Sequence, residues 1–372
     1  MQNLIRTMRR FDWVLIGALI PLFIWSLLTL KAVGMANDYF FTRQIIWIGV
    51  GFFVMFVMAS INWRILANSG VILTLYGIIL VFLGVLLLGG TQVKGAVSWF
   101  DFYIASFQPA EIVKLVLILI IAKYFSRRHI DMARFRHILI SGLYAFIPIA
   151  LILLQPDLGS AAIIFSIWLG VTLVAGIRMR HMAILAIAGI VIAGAGWVFF
   201  LEPYQQARVT SFLNPAADPR GAGYNAIQSM IAVGSGQLLG KGVGYGSQSR
   251  LQFLPESHTD FIFAAFAEEW GFVGVLLLFI FLGIIIWRIL AIGALSSSNF
   301  TKLFSVGVSI MIVVQITIHA GMNMGLLPVT GITFPFMSYG GSSLIMFFAA
   351  LGILQNIYTE GRAYSHYEIE ST

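Results

Sequence analysis

Trp13 to Val33 reads WVLIGALIPLFIWSLLTLKAV, an apolar stretch whose single charge, Lys31, stands near its end. A helix that crosses the hydrocarbon core needs roughly 20 such residues. Comparable runs recur near 43–60, 69–89, 109–125, 138–154, 158–175, 181–201, 261–288, 303–326 and 338–358. The runs at 109–125 and 158–175 are the shortest or the most interrupted. The pattern predicts an all-α integral membrane protein of about ten transmembrane helices. No soluble domain, internal repeat or low-complexity tract interrupts it, so residues 1–372 are expected to form one polytopic membrane domain. The first run is long enough to span and lacks a small-residue cleavage site, which argues against a cleavable signal peptide.

Composition agrees. The chain is 59% hydrophobic and 10% charged, against about 25% charged in soluble domains. Cysteine is absent, which removes disulfides, thiolate metal sites and cysteine nucleophiles. The net charge of +7 would suit a nucleic-acid binder, but the charges fall in short loops between apolar runs and so report topology, with no nucleic-acid partner implied. Arg6, Arg9, Arg10, Arg64, Arg127, Arg128, Arg134, Arg136, Arg178, Arg180, Arg288, Lys302 and Arg362 occupy one alternating set of loops. That set is expected in the cytoplasm, with both termini, and the other set outside.

Two outward loops stand out: about Gly90–Gln108, and about Glu202–Asp260, the longest connection. A long loop without its own span is usually functional or disordered. Tyr224, Ile227, Gln228, Ile231 and Ala232 have helical spacing there, predicting an amphipathic interfacial helix. The glycines from Gly234 to Gly246 suggest turns or close backbone approach.

Charges within spans are expensive and tend to face a cavity or one another. Glu111 and Lys114 are three apart on one helix face, which suits a structural ion pair or a ligand site. Glu268 and Glu269 lie in the first turns of the eighth span, facing either a wet interior or interfacial solvent. Asp260 closes the stretch Pro255-Glu256-Ser257-His258-Thr259-Asp260 just ahead of that span. On residue type alone it is a helix cap, and Asp157 after Pro156 is the same. Trp99 sits where an interfacial aromatic is expected, with carbohydrate or lipid contact as the alternative. Gly236–Lys241 has the wrong spacing for a phosphate-binding loop. The six histidines lack ligand spacing, and nothing calls for an organic cofactor.

Four segments together carry a resemblance. They are Gln108-Pro109-Ala110-Glu111-Ile112-Val113-Lys114, Gln155-Pro156-Asp157-Leu158-Gly159-Ser160-Ala161, the stretch from Leu251 to Ala264, and Gly331-Ile332-Thr333-Phe334-Pro335-Phe336-Met337-Ser338-Tyr339-Gly340-Gly341-Ser342-Ser343. In order and spacing they resemble the signatures of the shape, elongation, division and sporulation family. Gly246-Ser247-Gln248-Ser249 and the short termini are similar to its elongation branch. Ala110 departs from the serine often found there.

The resemblance implies a peptidoglycan glycosyltransferase in the bacterial cytoplasmic membrane. Such an enzyme polymerises lipid II into glycan strands on the outer face. It also implies partnership with a class B penicillin-binding protein, a transpeptidase, and with other cell-elongation proteins. The family's essential aspartate falls on Asp260, its loop tryptophan on Trp99, and its intramembrane ion pair on Glu111 and Lys114. The chemistry fits these residue types. A carboxylate acts as general base toward a sugar hydroxyl, and cations offset the charge of a diphosphate leaving group. Lys114, Arg208, Arg220, Lys241 and Arg250 are the candidate cations. A divalent cation, Mg²⁺ or Mn²⁺, bound by the diphosphate is a further expectation. A lipid II flippase and a non-catalytic scaffold are the competing classes.

The topology is directly testable because the chain has no cysteine. A cysteine placed near Pro219 should react with an impermeant thiol reagent in intact cells, and one near Arg128 should not. The opposite labelling pattern would overturn the orientation.

Overall fold

A computed structural model describes residues 11–34, 38–89, 91–93, 96–102, 105–127, 135–199, 206, 210–215 and 223–370. Its helices are α1 (Trp13–Gly34), α2 (Tyr39–Ser60), the short α3 (Trp63–Leu66), α4 (Ser69–Gly89), α5 (Pro109–Ser126), α6 (Phe135–Leu153), α7 (Leu158–Val174) and α8 (Met179–Phe199), followed by α9 (Tyr224–Ser235), the short α10 (Ser247–Arg250), α11 (Ile262–Leu295), α12 (Asn299–Asn323) and α13 (Gly341–Glu370). Between α4 and α5 lies a small antiparallel sheet of β1 (Thr91–Val93), β2 (Ala96–Phe102) and β3 (Ala105–Phe107). No sequence pattern marks it, because β1 and β3 have three residues each and the seven of β2, AVSWFDF, do not alternate apolar with polar.

Among the described residues, eight helices are long and apolar enough to cross a membrane. The other two expected spans are α7, with 17 residues, and α5, which carries Glu111, Lys114 and Lys123. The chain is a multi-pass membrane protein. Charge is tolerated in α5 because lipid never meets most of it. Almost all of Pro109–Ala122 is buried, against α4, α6, α7, α12 and α13. Within this helix Lys114 Nζ lies 2.7 Å from Glu111 Oε1, and the two residues are 1% and 4% exposed. The expected pair is therefore formed and dry.

Lipid tails are as apolar as leucine, so helices here associate by close packing, and small residues at seams permit it. At the α2–α13 seam, a Cβ on Gly51 would strike the Phe348 ring, and one on Gly352 would stand 2.5 Å from Met55 O. On α7, a Cβ on Gly170 would meet Ile310 of α12 at 2.9 Å. The N-terminal end is locked by charge: Asp12 pairs with Arg288 of α11 and accepts from Leu15 N at 3.1 Å. Arg288, counted above as a topology marker, is thus also a structural cation.

Helix α11 is broken at Gly271 (φ 65°, ψ −167°), about 13 Å from its start at 1.5 Å per residue. The outer loop fills the break. Lys241 N and Gly242 N donate to Glu268 O and Glu269 O at 2.9 and 3.0 Å, while Phe272 N and Val273 N donate to Gln237 O and Leu238 O at 2.8 and 3.0 Å. Four backbone groups beside the break thus find partners in residues 237–242. Glycine makes the approach possible: a Cβ on Gly240 would clash with Glu269 O, and one on Gly271 with Gly240 N.

Helix α9 forms where the spacing predicts a helix. Ala226, Ser229 and Ala232 are buried, whereas Ile231 is 44% exposed. Packing on α11 takes the small side chains for close approach and leaves Ile231 on the outward side.

Two stability predictions follow from this packing. Breaking the buried pair should be costly, about 3–5 kcal/mol for each single change. Glu111→Gln and Lys114→Met should each lower the yield of folded protein, and the double variant should lose less than their sum. Additive losses would show that the two charges act separately. Gly240→Ala should lower the thermal unfolding midpoint, at a cost of at least about 2 kcal/mol from strain and overlap. Gly283→Ala, where a Cβ meets nothing within 4 Å, is the neutral control.

Candidate active site

The stretch ending in Asp260 is a series of turns, not a helix end. Gln252 and Glu256 hold left-handed backbone, at φ 58° and 54°, a strained conformation of the kind that clusters at functional sites. Asp260 stands one residue ahead of the α11 N-cap, Phe261, whose side chain makes no capping bond. The first turn is instead capped from α12: Asn323 Oδ1 accepts from Ala264 N at 3.1 Å. The Asn323 amide donates to Asp260 O at 3.0 Å and to His319 O at 2.8 Å. Ser229 Oγ of α9 donates to Asn323 O at 2.8 Å. One buried asparagine thus both fixes the Asp260 backbone and caps the first turn of α11.

A second set of bonds ties this turn to the segment before α13. Ser338 Oγ donates to Thr259 O at 2.8 Å and accepts from Phe334 N at 2.8 Å. Tyr339 N donates to His258 O at 2.9 Å. His258 stacks on Phe40 of α2 with ring centroids 3.8 Å apart, and its Nε2 lies 3.6 Å from Glu256. Gly331, at φ 72°, faces the half-buried Asp260: a Cβ there would stand 3.8 Å from Asp260 Oδ2. His319 Nδ1 lies 2.6 Å from Ile332 O, holding the next residue.

The remaining two signatures meet the same end of the bundle. Asp157 caps α7, its Oδ1 accepting from Ser160 N at 2.9 Å and its Oδ2 from Ser160 Oγ at 2.7 Å. Gln108 Nε2 donates to the same Oδ2 at 3.3 Å, and Gln108 N donates to Ser342 Oγ at 3.2 Å. A Cβ on Gly159 would stand 2.8 Å from Thr330 O. Four segments far apart in sequence are therefore one bonded assembly around the outer ends of α5, α7, α11 and α13. The capping role expected of Asp157 is observed.

Trp99 lies half-buried on β2, opposite Thr91 of β1. The sheet joins the assembly through Ser342 Oγ, which donates to Ser106 O at 3.2 Å. Glu111 and Lys114 begin the second half of the same framework, within the first two turns of α5. Arg208 and Arg220 lie outside the described residues.

Lys241 has a definite partner. Its Nζ is 2.7 Å from Glu268 Oε1 and donates to Ser247 Oγ at 2.9 Å. The fully buried Glu268 also accepts from Gln248 N at 3.0 Å and Ser249 N at 3.3 Å, so it caps α10. Glu269 accepts from Gly244 N at 2.9 Å. Interfacial solvation does not describe either glutamate: both are internal anchors for the loop that leads to Asp260.

Among the described residues no group of three or more His, Asp or Glu side chains is arranged to hold a metal. Magnesium commonly needs only one or two carboxylates when phosphate oxygens supply the rest, and Asp260 and Glu256 offer carboxylates on this face.

Sequence reasoning missed Asn323 and Ser338. A signal for Asn323 was present: His319 and Asn323, four apart in an otherwise apolar span, share a helix face, and polar groups at such depth usually have an assigned partner.

Known proteins place this arrangement. The cell cycle protein family of FtsW, RodA and SpoVE matches over residues 6–363. Peptidoglycan glycosyltransferase MrdB of Escherichia coli is 36% identical over 354 residues, covering 95% of each chain. Stage V sporulation protein E of Bacillus subtilis is 36% identical over 327 residues, 86% of this chain and 87% of that one. Among solved structures, a chain in a peptidoglycan synthase complex that coordinates polymerization and crosslinking superposes with TM-score 0.80 at 31% identity, over 94% of this chain and 98% of that one. The rod shape determining protein RodA of Thermus thermophilus gives TM-score 0.70 at 29% identity, over 94% and 96%. With a family match along nearly its whole length and relatives this similar, the chain belongs to the FtsW, RodA and SpoVE family.

Proposed function

We propose that this protein is a peptidoglycan glycosyltransferase of cell elongation, which polymerises lipid II on the outer face of the cytoplasmic membrane with Asp260 as general base. The observation that carries the reading is the convergence of all four signature segments on the turn that presents Asp260. A general base must sit within hydrogen-bond reach of the hydroxyl it activates. Its backbone is held at Asp260 O by Asn323 and at Thr259 O by Ser338. The site lies at the end of the bundle away from the arginine-rich loops, so the positive-inside rule puts it outside, where lipid-linked sugars would meet it at the surface.

In the proposed step, the Asp260 carboxylate takes the proton of the attacking sugar hydroxyl. The oxygen then bonds to the anomeric carbon of the second substrate, and the lipid diphosphate leaves with the bonding electrons. The outer-loop arginines Arg208, Arg220 and Arg250 are the proposed cations to offset the diphosphate charge. Lys114, buried against Glu111, and Lys241, committed to Glu268, act as support. A divalent cation carried by the diphosphate would add to this charge balance. A class B penicillin-binding protein, crosslinking the strands, is the proposed partner; the similarity to a chain of a peptidoglycan synthase complex supports that partnership.

The flippase reading loses its main structural motif. Transporters expose the groups of broken helices to their cargo, whereas the break in α11 is filled by residues 237–242 of the chain itself.

Purified protein given lipid II in detergent separates the classes: polymer for an enzyme, flipping in vesicles without polymer for a transporter, neither for a scaffold. Asp260→Asn should keep its fold and lose polymerisation by about 10²–10⁴-fold. Asp157→Asn should retain most activity, since asparagine caps about as well as aspartate. Near-normal polymer from Asp260→Asn would end the catalytic assignment.

A further inference from the structure

The opposite end of the bundle holds a second constellation that the proposed reaction does not use. Where α5 ends, a cavity of about 650 Å³ opens between the α3–α4 turn and the start of α12. Arg64, Lys123 and Arg127 line it, with Asn68, Ser298 and the Trp63 ring. Arg64 is paired with Glu360 at 3.2 Å. The side chains of Lys123 and Arg127, one helical turn apart, make no hydrogen bond or ion pair among the described residues. Two cations thus face a concavity that no carboxylate lines among the described residues. The first turn of the 25-residue α12 also opens here, and its N-cap, Ser298, supplies no side-chain bond. The free N–H groups of a helix start favour an anion.

A second observation says what kind of anion. Continuous with this cavity, sharing Ser69, Lys123 and Arg127, runs a narrower slot of about 150 Å³. Its other walls are Ile72, Leu73, Ile120, Tyr124 and Tyr144, and Leu73 is 51% exposed on the flank of α4. A charged chamber that continues into an apolar slot along a spanning helix matches a molecule with an anionic head and a hydrocarbon tail.

We propose that this site binds the phosphate headgroup of an anionic phospholipid from the arginine-rich side of the membrane, with Lys123 and Arg127 on the phosphate and an acyl chain in the slot. It is a different site from that of Asp260, since the two ends of α5 are about 27 Å apart. A bound lipid here would wedge α4, α5 and α12 together, and so stabilise the helix that carries Glu111 and Lys114.

The test is thermal unfolding of the full chain in detergent, titrated with short-chain phosphatidylglycerol, short-chain phosphatidylcholine or inorganic phosphate. Phosphatidylglycerol should raise the unfolding midpoint saturably, and the other two should not. The variant Lys123→Met/Arg127→Gln should keep its lipid-free midpoint and need roughly 30-fold more phosphatidylglycerol for the same shift. Arg178→Gln/Arg180→Gln removes the same charge from exposed positions outside the cavity and should respond as wild type. Should the first double variant fold poorly, Arg127→Gln alone, at an exposed position, should still weaken the response about 5-fold. Equal losses in the two double variants, or equal shifts with phosphatidylcholine, would overturn the site. The same saturable shift with inorganic phosphate alone would overturn the lipid assignment in favour of free phosphate.

Discussion

Inside a bilayer no water is at hand for an unpaired peptide group, so a break in a spanning helix must be repaired by the protein. The four backbone bonds between residues 237–242 and the α11 break are that repair, and most of the outer architecture depends on them. They draw the loop down beside the helix to membrane depth, which sets Lys241 against Glu268. Glu268 then caps α10 through Gln248 and Ser249, and α10 leads directly into the turns ending at Asp260. Closing the break with an ordinary helical residue at Gly271 would remove the groups the loop binds, and the route to Asp260 would lose its anchor. The long connection is therefore an extension of the bundle rather than an appendage on it.

Helix α5 does the complementary work. Because it is enclosed by five neighbours, it can hold charge at both ends of a span that would otherwise exclude it. The two ends are treated differently. Near Gln108 the charge is balanced, Glu111 against Lys114 at 2.7 Å, and surrounded by bonded signature segments. Near Arg127 no carboxylate among the described residues balances it, and a cavity lies there instead. A balanced buried pair contributes position more than stability, whereas an unbalanced one invites a ligand.

Each of the ten expected spans corresponds to a helix among the described residues, because hydrocarbon imposes length and apolarity on a helix regardless of its neighbours. The two that fall short of that pattern, α5 and α7, do so for physical reasons: α5 is shielded by protein, and α7 is short. The Glu111–Lys114 pair was legible from spacing, as was the Asp157 cap from residue type. What stayed hidden was contact made through the backbone across large separations. Asn323 serves Asp260 and Ala264 some sixty positions away, and nothing periodic marks such a bond. Part of the inward face of α9 was hidden too, since Ala226 and Ser229 serve close approach to α11 and not hydrophobicity. The sheet bearing Trp99 was invisible because β2 does not alternate apolar with polar residues.

Asp157 and Asp260 show why position before a helix does not by itself give a residue its task. Both precede spanning helices, and both look like caps. Asp157 is consumed by that duty, its two oxygens taken by Ser160 and Gln108. At Asp260 the cap is delegated to Asn323, a neutral side chain from another helix that accepts from Ala264 N and steadies Asp260 through its carbonyl. The first turn of the helix is thus met by a neighbouring span, while the turn that carries Asp260 is fixed from two sides. A proton acceptor requires a firmly held backbone, and of the two aspartates Asp260 is the one whose turn is held by side chains from two distant segments.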